Sequence, residues 1–120
     1  TLCAAYNYAV SLVTLERLEE AKALINRSLP VARRVLGDSH NLTLEMRWKY
    51  AEALCRDDSA TLDDLREAVS TLEDAGRIAR RVLGGAHPLT VGIGEALRAV
   101  RAALGNRETP SGELDEVENA

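Results

Sequence analysis

Two stretches of this 120-residue chain are nearly identical, and they lie 47 residues apart. Residues 32–43 read ARRVLGDSHNLT and residues 79–90 read ARRVLGGAHPLT, with nine of the twelve positions the same. YNYAVSL at 6–12 resembles WKYAEAL at 48–54 at an offset of 42, so the second copy carries a five-residue insertion after Leu54. A repeat of this length indicates small structural units that bury their apolar faces against one another.

Apolar residues recur at helical spacing in every half-unit. Leu18, Ala21, Ile25 and Leu29 lie on one stripe of the second helix, and the same spacing predicts four more helices. Aromatic residues make up only 3% of the chain, and Phe is absent, which favours closely packed helices over a β-sandwich. The sequence therefore predicts an all-α fold with two helix pairs followed by a fifth helix.

Glycine, proline and polar caps mark where the predicted helices begin and end. Gly37 and Gly84 each follow an ARRVL run, and they suit the left-handed backbone position after a helix. Pro88 suits the first turn of the fifth helix. Thr61 and Asp64 form a predicted capping box. Pro30 lies inside the second helix, where an interior proline is expected to produce a kink.

The charge divides the chain into a balanced body and an acidic end. Residues 1–104 hold 14 basic and 14 acidic side chains, whereas residues 105–120 hold one basic and five acidic ones. A balanced body argues against a nucleic-acid footprint, and no apolar run is long enough for a transmembrane helix. We predict a repeat domain over 1–104, a disordered acidic tail over 105–120, and a reducing, cytoplasmic compartment.

The segment LEEAKALINRSLPVARRVLGDSHNLT resembles a tetratricopeptide repeat of the long, kinesin-light-chain type. In that type the second helix of a pair ends in LG and a His-Pro-like loop follows, as in VLGGAHPLT at 82–90; Asn41 replaces the proline in the first copy. The resemblance covers about 1–104 and implies a right-handed solenoid of helical hairpins. Ala9, Ala21, Ala51 and Ala68 take the positions where the family packs its paired helices. Arg98 breaks this pattern, which suits a solvent-facing cap.

The resemblance also implies a peptide-binding surface, because the family binds peptides on a concave face lined by the first helix of each pair. The positions in that register are Asn7, Val10, Glu45, Trp48, Lys49 and Glu52. Trp48 is expected to act either as an apolar anchor or in packing between helices. The terminal unit of a repeat array needs a polar outer face, and the first helix starts with apolar residues instead, so we expect either that further repeats precede it or that this end self-associates.

Other chemistry-bearing residues are expected to be structural. His40 and His87 recur without further ligand types nearby, so we expect them to bond within their turns rather than to hold a metal. The pairs Arg33–Arg34 and Arg80–Arg81 suit helix C-termini, with an acidic or phosphate ligand as the alternative. The aspartates of 57–64 lack the glycine and glutamate of a calcium loop. Cys3 and Cys55 cannot form a disulfide framework.

These observations predict a protein–protein interaction scaffold with no catalytic residues, no cofactor and no metal. The expected partner is a protein or peptide, with neither nucleic acid nor membrane. Two alternatives stay open: a helical array that binds RNA, and a regulatory segment of a larger multidomain enzyme.

Overall fold

The computed structural model describes residues 1–56 and 58–108. Five helices follow one another in these residues, and the described part of the chain contains no strand. The helices are α1 (Leu2–Thr14), α2 (Leu18–Val35), α3 (Asn41–Arg56), α4 (Leu62–Leu83) and α5 (Pro88–Glu108). The all-α helical-repeat fold predicted from the sequence is therefore confirmed. None of the described helices has the length and apolar character needed to cross a bilayer.

The helices stack in chain order into two layers. Each helix packs against the next, and α3 also packs against both α1 and α5. The first, third and fifth helices therefore form one layer, and α2 and α4 form the other. Cross-helix bonds show that α3 and α4 run antiparallel: Tyr50 Oη donates to Glu67 at 2.9 Å, and Arg47 donates to Asp74 at 3.4 Å.

The two turns between helix pairs are built alike. Gly37 and Gly84 have φ of +93° and +92°, in the left-handed region that favours glycine, as predicted. His40 Nδ1 accepts a hydrogen bond from the Leu42 amide, and His87 Nδ1 accepts one from the Leu89 amide, each at 3.1 Å. The recurring histidines thus cap the starts of α3 and α5, which confirms the structural role expected for them.

The last two helices begin as predicted. Thr61 Oγ1 accepts from the Asp64 amide at 3.1 Å, and the Asp64 carboxylate accepts from the Thr61 amide at 3.0 Å. This reciprocal pair satisfies two backbone donors at the start of α4. Pro88 occupies the first position of α5, where the missing N–H breaks no helical bond.

Small residues allow the helices to approach closely. Ala9, Ala21, Ala51 and Ala68, the positions predicted for inter-helix packing, are at most 1% exposed. Arg98, which takes the equivalent position in the fifth helix, is exposed. The fifth helix therefore presents arginine to solvent where the first and third helices bury alanine.

Helix α5 runs four residues past Leu104, to Glu108, so residues 105–108 of the predicted disordered tail are helical. The apolar stripe does stop at Leu104, but a polar contact holds the additional turn: Arg66 of α4 donates to the Glu108 carboxylate at 2.8 Å. Residues 109–120 of the predicted tail lie outside the described residues, as does Asp57 of the predicted acidic loop. Disorder over 109–120 stays a prediction.

Candidate functional site

One layer of the fold carries all six residues predicted for the peptide-binding surface. We call this surface, formed by α1, α3 and α5, the odd-helix face. On α1, Asn7 is exposed and Val10 is half-buried. On α3, Glu45, Trp48, Lys49 and Glu52 are half-buried, and their spacing of three to four residues places them along one side of the helix.

A chain of ion pairs crosses this face. Lys49 Nζ lies 2.9 Å from the Glu52 carboxylate, which also accepts from Arg56 at 3.0 Å. Arg56 in turn donates to Glu16, in the turn between α1 and α2, at 2.5 Å. Burial raises the pKa of Glu52, but the hydrogen bonds and charges of Lys49 and Arg56 outweigh burial and leave its pKa below the ordinary value. Glu52 is therefore the ionised centre of the network.

Trp48 joins α3 to α5. Its indole covers Gly92, and a Cβ atom at that position would lie only 2.4 Å from Trp48 Cη2. Lys49 Nζ lies 5.5 Å from the indole centroid, within the range of a cation–π contact. Trp48 thus packs between helices, one of the two roles expected for it, and it also lines the pocket described next.

An apolar pocket of about 290 Å³ opens between α3 and α5 beside the ion pairs. Glu52 and Arg56 contribute its polar edge. Its remaining lining residues are Trp48, Cys55, Leu72, Ala96, Ala99, Val100 and Ala103. The sequence reasoning did not identify this pocket. The signal was present in α5, where Ala96, Ala99 and Ala103 recur at helical spacing.

Tyr6 is a second residue of this face that the sequence reasoning missed. It aligns with Trp48 at the repeat offset of 42, so the repeat itself carried the signal. Burial, followed by the charge and hydrogen bond of Glu45, raises the pKa of Tyr6 to about 12. The phenol is therefore neutral at physiological pH, and it provides a hydrogen-bond donor between α1 and α3.

Cys55 lies in the pocket as a packed thiol. Its Sγ donates to the Ala51 carbonyl oxygen at 2.7 Å, and burial raises its pKa to about 11. A thiol in this state is a poor nucleophile, because the thiolate is the reactive form. Cys3 is exposed on α1, and neither cysteine is in a disulfide.

The remaining candidate residues lie elsewhere. Arg33 is exposed and bonds to Asp38 at 2.6 Å, while Arg34, Arg80 and Arg81 are exposed near the ends of α2 and α4. Within residues 1–56 and 58–108, no three His, Cys, Asp or Glu side chains come together as a metal site would require.

Short turns join these helices into stacked pairs, and the pairs repeat along the chain, which defines a helical-repeat protein. The family model described as tetratricopeptide repeat matches residues 1–61, half of the chain. The chain belongs to the tetratricopeptide repeat family. Repeats of this family generally mediate protein–protein interactions and are typically non-enzymatic scaffolds. No curated protein and no solved structure matches the chain.

Proposed function

We propose that the chain is an interaction scaffold that holds a peptide segment of a partner protein on the odd-helix face. The observation that carries the proposal is the apolar pocket between α3 and α5, bordered by the Lys49–Glu52–Arg56 ion pairs. A pocket lined by apolar residues beside fixed charges suits one apolar side chain of a peptide that also carries polar groups. Members of the family that bind peptides use the corresponding face.

The charged groups favour a peptide of mixed charge. Lys49 and Arg56 already pair with Glu52, so a ligand carboxylate uses the donors that these pairs leave free. Asn7 is exposed and offers an amide to a peptide backbone. The second repeat has Lys49 in place of this asparagine, so the polar contacts differ from one repeat to the next. The surface that these five helices provide is short, and we expect weak binding unless the native array is longer.

Charge balance separates this proposal from the RNA-binding alternative. The 14 basic and 14 acidic residues of 1–104 provide no excess of positive charge for a phosphate backbone, and aromatic side chains for base stacking are few. We propose a protein partner in the cytoplasm and neither a nucleic acid nor a membrane. A regulatory role beside a catalytic domain is compatible with the same surface and remains the alternative context.

We propose that the repeats are of the kinesin-light-chain-like type, on the strength of the recurring LG-to-His segment. In both turns the histidine caps the next helix, which explains why the LG-to-His segment recurs. We propose that the repeat domain ends with α5 and that residues 109–120 form a separate acidic segment. We also propose that Tyr8 on α1, 56% exposed, and Leu15 directly after that helix, 64% exposed, mark a surface for self-association or for a further repeat.

The test fills the pocket without changing a charge. Ala99 and Ala102 are both exposed on α5, but Ala99 lines the pocket and Ala102 does not. With a partner peptide mapped by affinity capture, Ala99→Leu is expected to weaken binding by about tenfold or more, and Ala102→Leu by less than about twofold. Isothermal titration calorimetry measures both affinities, and circular dichroism checks that both variants remain folded.

Equal effects of the two substitutions would show that the peptide does not use this pocket. Lys49→Glu combined with Asn7→Ala then tests the polar part of the same face. If the double substitution Arg80→Glu and Arg81→Glu abolishes binding while the other variants bind normally, the site lies at the ends of α2 and α4 instead. Peptide affinity should change little with salt, whereas a steep loss of affinity as salt rises would favour RNA.

A further inference from the structure

A second groove, on a different surface from the odd-helix face, lies between α4 and α5. It has a volume of about 330 Å³ and is lined by three arginines, Arg77, Arg80 and Arg101, against one acid, Glu73. Gly94 and Leu97 of α5 contribute part of its lining. The groove is therefore a concave surface with an excess of positive charge, in a domain whose total charge is balanced.

The corresponding surface one repeat earlier is covered. Arg47 and Tyr50 of α3 lie 47 residues before Gly94 and Leu97. Helix α4 packs over them and contributes two carboxylates, Asp74 to Arg47 and Glu67 to Tyr50. The Arg47 side chain is only 9% exposed as a result. On α5, no element among residues 1–56 and 58–108 covers the equivalent positions, so this surface lacks the carboxylates that its counterpart receives.

The arginines of the groove have N–H donors that their ion pairs do not use. Arg77 pairs with Asp74, and Arg101 pairs with Glu73. Each guanidinium has five N–H donors, so a single pair leaves several unused. Arg80 is exposed and forms no ion pair within the described residues. Several carboxylates on one short segment would complement this arrangement.

Such a segment follows α5 in the same chain. Residues 113–118 read ELDEVE, with four acidic side chains and no basic one. We propose that these carboxylates bind the arginines of the α4–α5 groove within the same molecule. Charge pairing of this kind requires no folded structure in the segment. The inference stands apart from the proposed peptide site, since it uses other residues on another surface.

The segment has the reach that this contact requires. Arg101 precedes Glu108 by seven residues, or about 10 Å along the helix. Residues 109–112 can span up to about 14 Å when extended, so Glu113 can reach the near end of the groove. Because the two partners belong to one chain, their effective concentration is about millimolar, which allows individually weak contacts to form.

The experiment compares amide chemical shifts of the full chain with those of a neutralised variant by NMR. The variant carries Glu113→Gln, Asp115→Asn, Glu116→Gln and Glu118→Gln. We expect shift differences at Arg77, Arg80, Gly94 and Leu97 in about 20 mM NaCl that vanish in about 500 mM NaCl, because salt screens exposed pairs. Matching spectra of the two chains at low salt would overturn the proposal.

A matched pair of substitutions tests the site itself. Arg81 adjoins Arg80, is exposed and does not line the groove. Arg80→Glu should abolish most of the shift difference, as should Arg80→Gln, whereas Arg81→Glu should retain more than about half of it. Equal loss in the Arg80→Glu and Arg81→Glu chains would indicate unspecific attraction and contradict the groove. Shifts that grow with protein concentration would place the contact between molecules, and they too would overturn the proposal.

Discussion

At the scale of single residues, Trp48 and Gly92 depend on each other. The indole occupies the space that a side chain at residue 92 would need, and it forms one wall of the pocket on the odd-helix face. A glycine inside a helix destabilises it by about 0.5–1 kcal/mol relative to alanine. The structure explains why α5 has glycine at residue 92: any larger residue displaces Trp48 and thereby alters the pocket.

We predict that Gly92→Ala lowers the free energy of unfolding by about 1–3 kcal/mol, since overpacking against Trp48 outweighs the gain in helix propensity. Urea unfolding followed by circular dichroism measures the change. Gly94→Ala is the control: the nearest atom to its new Cβ, Arg98 Nη1, lies 4.0 Å away, so this variant should be more stable by up to about 1 kcal/mol. Stabilisation by both substitutions would mean that Trp48 repacks without cost.

At the scale of the helix, α2 and α4 occupy equivalent positions in the two repeats but differ in sequence. Pro30 lies inside α2, and α4 has Arg77 at the equivalent position. Proline lacks an N–H group, so residue 30 cannot donate to the Asn26 carbonyl. Even so, α2 runs through Pro30 as one helix from Leu18 to Val35, because its apolar stripe is buried on both sides of the proline, at Ile25 and Ala32.

The helix-scale prediction removes the proline from α2 and introduces one at the equivalent position of α4. Pro30→Ala should raise the free energy of unfolding by about 1–3 kcal/mol, and Arg77→Pro should lower it by about 3 kcal/mol. Arg77→Ala separates the effect of the lost charge from that of the proline ring. Chemical denaturation measures all three variants. A less stable Pro30→Ala chain would indicate that the surroundings of Pro30 have adapted to its ring.

At the scale of the whole molecule, the buried residues divide unevenly along the stack. Among residues 1–56 and 58–108, the larger cluster of buried residues contains eleven, from α3, α4 and α5. The smaller cluster contains five of the described residues, and of these α1 contributes Leu12 and Val13. Stability in a repeat array is roughly a sum of local and nearest-neighbour terms. The end of the stack that holds α1 should therefore open before the end that holds α4 and α5.

We predict that native-state hydrogen exchange gives lower opening free energies for α1 amides than for α4 amides. Leu12→Ala, which removes a side chain only 2% exposed, should lower the values in α1 by about 2–4 kcal/mol and affect α4 less. Leu72→Ala, in the larger cluster, should lower the values throughout. Equal opening free energies for α1 and α4 would mean that the five helices unfold as one cooperative unit.

The sequence alone determined the features that depend on near neighbours in the chain. Helical spacing, the glycines at 37 and 84, the histidine caps and the capping box of Thr61 all involve groups within about four positions of one another, so their chemistry is readable locally. The repeat at an offset of 47 residues also predicted that the helix pairs stack, because two copies of one unit bury the same face. The α3 residues of the candidate site were predictable for the same reason.

Only the tertiary structure decided what those residues touch. The pocket requires Trp48 to meet α5 across Gly92, the ion-pair chain requires Glu16 to meet Arg56, and the last turn of α5 requires Glu108 to meet Arg66. Each of these contacts joins residues about 40 positions apart. Such contacts depend on the rotation and offset of one helix against another, which the packing of the buried alanines sets and no local pattern encodes.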